Sequence, residues 1–267
     1  MNNIFDIKRF GQYFLYDLRR AWNNYGLSLL LMGLIPIILY VVYQFISLVS
    51  GRGTGLMPDP MKFVALFAVL CVVILGAGVK LYGFVTEKRA GSDFLMLPAS
   101  TTEKWLSMAL MVCIVLPAVL FALLFVSDAL MSLVFPLTYG GRLFNQAFAN
   151  NILAEVMDEE GVSFNLPAVL FCNWCESILV FTLGAICFKR AKVAKTLLCL
   201  FGFSIVLSML MVLIFGTSHI DTEQLEAFFE TPDRVFSFLN WTVNIIYTVI
   251  IGGLLWGIWY RLRTLKH

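Results

Sequence analysis

Long uninterrupted apolar runs constrain this chain more than any other feature of its sequence. About 20 apolar residues are what an α-helix needs to cross roughly 30 Å of hydrocarbon. Six runs of about this length occur, at approximately 27–49, 63–85, 105–135, 166–188, 197–215 and 241–260. The composition agrees, because 60% of the 267 residues are hydrophobic and only 13% are charged, unlike a soluble domain. The sequence predicts an all-α integral membrane protein in which six transmembrane helices form one domain, 1–267.

The third run, 105–135, is longer than a membrane crossing requires. It contains Pro117, which removes a backbone donor, and Asp128, which an apolar environment disfavours. We therefore expect this helix to tilt, to kink near Pro117, or to project from the membrane past Asp128.

The positions of Lys and Arg predict the orientation of the helices. Cytoplasmic loops near helix ends carry the excess of positive charge. If the six runs alternate in direction, all but four of the 19 Lys and Arg residues lie on one side, which we call the basic side; the exceptions are Arg52, Lys62, Arg142 and Arg234. Both termini, the segment 86–104 and the loop "FKRAKVAKT" at 188–196 are thus predicted to be cytoplasmic. These charges follow the topology and do not form a nucleic-acid-binding patch.

The segment 5–25, "FDIKRFGQYFLYDLRRAWNNY", precedes the first apolar run and has its own pattern. An aromatic and apolar face recurs at helical spacing over three turns, formed by Phe10, Tyr13, Phe14, Asp17, Leu18, Ala21 and Trp22. This pattern predicts an amphipathic helix lying in the membrane interface. The alternative is an ordinary basic flank that sets the topology of the first span.

No motif in the sequence supports enzyme chemistry. "CNWC" at 172–175 lies inside an apolar run without a second Cys or His pair nearby, so we expect packing cysteines and no metal site. "GRGTG" at 51–55 lacks the Lys and Ser or Thr of a phosphate-binding loop, and the chain has only 2 histidines. We expect a protein that is not an enzyme and binds no cofactor of its own.

The segment 83–105, "GFVTEKRAGSDFLMLPASTTEKW", is the longest charged interruption in the first half of the chain. Within it, Ser100 and Glu103 have the spacing of a capping box, which predicts that a helix begins at Ser100. Phe94 to Leu97 are apolar although the topology places them in the cytoplasm, and Pro98 ends any helix that carries them. They could dip into the lipid surface or fit a groove on a soluble partner, with neighbouring charges as a rim.

The order of these parts resembles the membrane subunit of ATP-binding-cassette exporters of the ABC type-2 permease class. The resemblance covers most of the chain as architecture, and its sequence content lies in 83–105, with "LPASTTEKW", and more weakly in 10–25. It implies a coupling helix in 86–104 that docks on a separate cytoplasmic ATPase, which hydrolyses the ATP, and a homo- or heterodimer of permeases. The implied coupling residues are Glu87, Lys88, Arg89, Asp93, Phe94, Leu95 and Leu97. By the same analogy the loop at 188–196 is a second cytoplasmic contact.

The loops on the opposite side depart from that family. Members of the class carry re-entrant apolar helices before the last span, whereas "DTEQLEAFFETPDRVFSF" at 221–238 is acidic and amphipathic. The loops 136–165 and 216–240 are therefore expected to cap the protein or to contact a partner or a cationic substrate. This difference leaves the substrate class open.

Polar residues inside the spans are the candidates for a translocation path, because lipid disfavours them. Glu176 lies near the middle of the fourth run, and the others are Asn173, Asn240, Asn244 and Tyr247. The alternative is that they bond one helix to another. Two functions follow: an exporter permease subunit, or a non-transporting membrane scaffold or sensor that uses its acidic loops. Only the exporter permease requires an ATPase partner. That ATPase would contact permease chains that are embedded in membrane lipid.

Overall fold

The structure, a computed structural model, describes residues 5–51, 53–142, 166–217 and 232–264. Every regular element in these residues is a helix, and none of them forms a strand, which confirms the all-helical prediction. The elements are α1 (Ile7–Gly33), α2 (Ile35–Val49), α3 (Asp59–Tyr82), a 3-10 turn (Gly83–Thr86), α4 (Lys88–Met96), α5 (Thr101–Leu110), a π-helical turn (Met111–Val115), α6 (Leu116–Val134), α7 (Pro136–Tyr139), α8 (Leu166–Cys187), α9 (Lys192–Thr217) and α10 (Pro232–Thr264). Most of the two predicted acidic loops, 143–165 and 218–231, lies outside the described residues.

Five helical stretches in the described part are long and apolar enough to cross a membrane. They are Asp59–Thr86, Thr101–Val134, Val169–Cys187, Lys192–Leu213 and Trp241–Thr264. The pair α1 and α2 makes a sixth if it is one span bent by 43°. The chain therefore has the five to six apolar helices of an integral membrane protein.

The bend between α1 and α2 lies at Leu34, and α1 continues without a break through residue 26. Pro36 occupies the first turn of α2, where its ring clashes with a helical carbonyl one turn earlier and bends the path. The helix also continues past Gly26, where the ring of Trp22 lies 3.0 Å from the position that a Cβ on this glycine would take. The segment 5–25 is thus the first part of one long helix.

The helix α1 runs parallel to α5 and α6. Asp17 bonds to Ser107, 90 residues further along the chain, and Gly33 lies against Leu123 at the same offset, with its absent Cβ only 2.5 Å from the Leu123 side chain. The offset is the same at these two contacts, which lie 16 positions, or about 24 Å of helix, apart. Between these two contacts the π-helical turn precedes Pro117, whose missing N–H cannot continue the α-helical pattern.

Close helix contacts at small residues place α8 at the centre of the bundle. Its Thr182 backbone lies 2.9 Å from where a Cβ on Gly78 of α3 would be, and its Gly184 faces Thr196 of α9. Small residues let membrane helices approach closely where no water drives them together. The other side of α8 packs on α10, while most side chains of α9 face outward.

Candidate functional site

The helix start at Ser100 has the predicted capping box. The amide of Glu103 donates to Ser100 Oγ at 3.3 Å, and the amide of Ser100 donates to Glu103 Oε2 at 2.8 Å. Both reciprocal bonds are present, so the prediction of a helix beginning here is confirmed.

Glu103 also joins the beginnings of α1 and α5. Arg9 donates from Nε to Glu103 Oε2 at 2.9 Å and from a terminal nitrogen to Oε1 at 2.6 Å, while the amide of Asp6 donates to Oε1 at 3.0 Å. The Glu103 side chain is fully buried and the Arg9 side chain is one-third exposed (33%). A carboxylate that satisfies a guanidinium and two backbone amides holds these helix ends together strongly.

A second buried carboxylate, Asp17, lies further along α1. It accepts hydrogen bonds from Tyr82 Oη at 2.9 Å and Ser107 Oγ at 2.6 Å, so it joins α1 to α3 and α5. Asp17 belongs to the aromatic face that was predicted to lie in the membrane interface. In the structure Tyr13 and Asp17 of that face are buried in the protein, whereas Trp22 is exposed.

The inner face of α4 is packed against the bundle. Phe94 is only 2% exposed and contacts Phe84 edge to face at 5.8 Å between ring centroids. Lys104 Nζ donates to the Phe94 carbonyl oxygen at 2.8 Å, and the Arg20 guanidinium lies 3.4 Å above the Phe84 ring. Phe94 therefore meets neither lipid nor solvent, because the turn at Gly83–Thr86 folds α4 back onto α1 and α5.

The outer face of α4 is exposed. We use the name α4 face for Glu87, Asp93 and Met96, all of which are exposed, with Met96 at 79%. Leu97 is half-buried and lines a cleft of about 190 Å³ between α1 and the α4–α5 linker. Pro98 lines the same cleft. Lys88, Arg89 and Leu95 belong to α4, but their side chains are outside the described part.

The two loops of the basic side meet at the start of this region. Lys192, at the beginning of α9, donates from Nζ to the carbonyl oxygen of Gly83. Its neighbours Lys189, Arg190 and Lys195 are exposed. The loop at 188–196 therefore contacts the turn before α4, although Gly83 and Lys192 are 109 residues apart in the chain.

Of the predicted path residues, the structure brings two together. Asn173 of α8 donates from Nδ2 to Tyr247 Oη of α10 at 3.4 Å. Glu176 is half-buried one turn further along α8, and Asn244 is exposed on α10. Asn240 lies in α10, with its side chain outside the described part. The Asn173–Tyr247 bond joins α8 to α10, as the helix-to-helix alternative predicts. It is equally compatible with a translocation path.

A separate polar cluster lies at the opposite end of the bundle. Lys62 is buried and pairs with Asp59 at 2.9 Å, and its Nζ lies 4.4 Å from the centre of the Tyr139 ring. Tyr139 Oη donates to Asp128 Oδ1 at 2.7 Å, so Asp128 is inside the protein at this end. Burial, reinforced by the hydrogen bond to Asp128, raises the pKa of the Tyr139 phenol, which therefore stays a donor to the carboxylate.

The described cysteines form no metal site. Cys175 lies beside Cys113 of the π-helical turn, close enough for their thiols to interact, and both are free. Across the described residues, no group of three or more His, Cys, Asp and Glu side chains has the geometry to hold a metal ion.

No protein-family model, curated protein or solved structure matches this chain. Its resemblance to exporter permeases therefore rests on the residues and the order of parts alone.

Proposed function

We propose that this chain is the permease subunit of an ABC-type exporter in a bacterial-type inner membrane, with the basic side in the cytoplasm. The observation that carries the proposal is the division of α4 into two faces. Phe94 anchors the helix to the bundle, while Met96 is 79% exposed on a helix that lies between two candidate spans. An exposed apolar residue one turn from the exposed charge of Asp93, on a helix that the exposed Glu87 precedes, is typical of a contact surface for a soluble partner.

The contacts of α4 suit it to transmit movement into the membrane. A force on α4 acts on α5 through the Lys104–Phe94 bond and on α1 through Arg20 and Phe84. Energetic coupling between distant sites can be carried by such a contiguous set of packed and bonded groups. In this proposal a separate cytoplasmic ATPase binds the α4 face and supplies the energy of ATP hydrolysis, because the chain has no ATPase motif of its own.

The path for the substrate is proposed to lie between two permease chains, identical or different. Asn173, Glu176, Asn240, Asn244 and Tyr247 would line it from α8 and α10. Glu176 supports this assignment, since it is a half-buried acid on an apolar helix, and such residues mark substrate or ion pathways in membrane proteins. The chain binds no cofactor in this proposal.

Affinity capture of the tagged full-length chain from its native membrane, followed by mass spectrometry, tests the proposal. We expect an ATPase subunit with nucleotide-binding motifs to co-purify with the wild-type chain. Met96→Asp should reduce its recovery about tenfold or more, because a charge replaces a buried apolar contact at the interface.

The matched control is Thr264→Asp, which adds the same charge at an exposed position on the basic side, at the end of α10. It should leave ATPase recovery unchanged. If no ATPase is recovered with the wild-type chain under conditions that preserve membrane complexes, the exporter proposal is wrong. The non-transporting scaffold or sensor then becomes the better interpretation.

A further inference from the structure

An apolar groove of about 440 Å³ lies between α1 and the α5–α6 helix. Its floor is formed by Leu81 of α3 and by Met111 and Val119 of the π-helical turn and α6. Trp22 lies at its mouth and is 61% exposed, so the groove is open to the surroundings of the bundle. None of the proposed path residues or α4 residues contributes to it.

The groove follows from the way in which the two parallel helices meet. They touch at Asp17 and Ser107 on one side of it and at Gly33 and Leu123 on the other. Between these contacts the π-helical turn inserts an extra residue into the helix path, which displaces the following turn. The helices are therefore held together at both ends of a gap that their own side chains leave open.

The dimensions and polarity of the groove match one lipid chain. Along α1 it extends from Leu18 to Leu29, which at 1.5 Å per residue is about 16 Å, close to half of the roughly 30 Å hydrocarbon thickness. Its lining is apolar except for Arg19, at the end nearest the basic side, and Asn23 and Tyr25 further along α1. A guanidinium binds phosphate oxygens in a bidentate manner, and a Trp beside it is typical of headgroup depth.

We propose that the groove binds one phospholipid from the leaflet on the basic side. One acyl chain lies between α1 and the π-helical turn, and the phosphodiester lies at Arg19. The lipid fills the gap in the α1–α6 interface and serves as a structural component of the fold. The lipid proposal does not depend on the exporter function, because it uses no residue of the proposed path or of the α4 face.

Native mass spectrometry of the delipidated full-length chain, titrated with phosphatidylglycerol in mild detergent, tests this site. The wild-type chain should bind about one phospholipid with higher affinity than any further lipid. Val119→Phe places a ring in the groove and should weaken that binding about tenfold, the effect of excluding roughly two methylenes from an apolar site. Arg19→Gln should weaken it several-fold through loss of the charged hydrogen bonds.

Two control variants separate the groove from the general lipid surface. Leu133→Phe enlarges an exposed side chain on the same helix, and Lys80→Gln removes an exposed charge from the same side of the bundle. Both should bind the lipid as the wild-type chain does, with melting curves showing that all four variants are folded. Equal binding by Val119→Phe and Leu133→Phe, or a groove filled by a second copy of the chain in a lipid-independent dimer, would overturn the proposal.

Discussion

The two ends of the bundle both bury charge, but they do so differently. On the basic side, Arg9 and Glu103 are 94 residues apart in the chain, and the acid is fully buried. At the opposite end, Lys62 pairs with Asp59 only three residues away, and the Asp59 side chain is 48% exposed. The long-range bonds at that end do not pair two charges: Tyr40 Oη bonds with Thr138 Oγ1 at 2.6 Å, and Lys62 Nζ donates to the Gly141 carbonyl oxygen at 3.4 Å.

This difference indicates which end holds the helices in a defined arrangement. A buried charge that is paired across the chain costs much free energy when one partner is lost, because the other stays buried alone. In the Lys62–Asp59 pair, loss of Lys62 leaves an acid that water can solvate, whereas loss of Asp59 leaves Lys62 buried. On the basic side the buried bonds join distant segments, so that end holds α1, α3 and α5 together, and the proposed ATPase contact lies there.

The largest effect is expected for Glu103→Gln. The uncharged amide cannot satisfy the Arg9 guanidinium and the amides of Asp6 and Ser100 together, so the free energy of unfolding should fall by about 1–2 kcal/mol. Thermal or denaturant unfolding of the purified chain in detergent measures this change.

Glu87→Gln makes the same chemical change at an exposed position on the same side. It should alter the free energy of unfolding by less than about 0.5 kcal/mol. If the two variants are equally stable, the Arg9–Glu103 pair does not hold the helices together and the contrast between the two ends disappears.

A smaller effect is expected for Lys62→Met at the opposite end. Methionine keeps the apolar stem of the buried lysine, and the Asp59 that is left behind can be solvated. Loss of the contact with the Tyr139 ring is offset by removal of a buried charge, so the free energy of unfolding should change by less than about 1 kcal/mol. The same unfolding experiment measures it, with Lys80→Met as an exposed control. A loss as large as that of Glu103→Gln would show that the ends are held alike.

The membrane spans and the helix start at Ser100 could be predicted because their signals are local. An apolar run of sufficient length and a Ser–Glu spacing of three residues each specify a structure without tertiary information. The same local logic placed a boundary near residue 26, between the predicted interface helix at 5–25 and the first apolar run at 27–49. The helix continues across that boundary to Gly33, and the break comes at Leu34, before Pro36.

The contacts of the candidate site could not be predicted because they join distant segments. Nothing in the capping box at Ser100 indicates that Glu103 also binds Arg9, and Asp17 reads as one polar position on an otherwise aromatic face. Phe94 to Leu97 were treated together as a possible contact for lipid or a partner. The fold separates them, because it buries Phe94 and exposes Met96, and the turn at Gly83–Thr86 determines which face of α4 is inside.

In the proposed function, α4 is held by its inner face and contacts an ATPase through its outer face. A photo-crosslinking residue incorporated at position 96 of the full-length chain, in intact cells, tests this contact directly. We expect a covalent adduct between the 30.1 kDa chain and an ATPase subunit from position 96, and none from the exposed position 264 on the same side. Adducts only to lipid from position 96, or equal adducts from both positions, would contradict it.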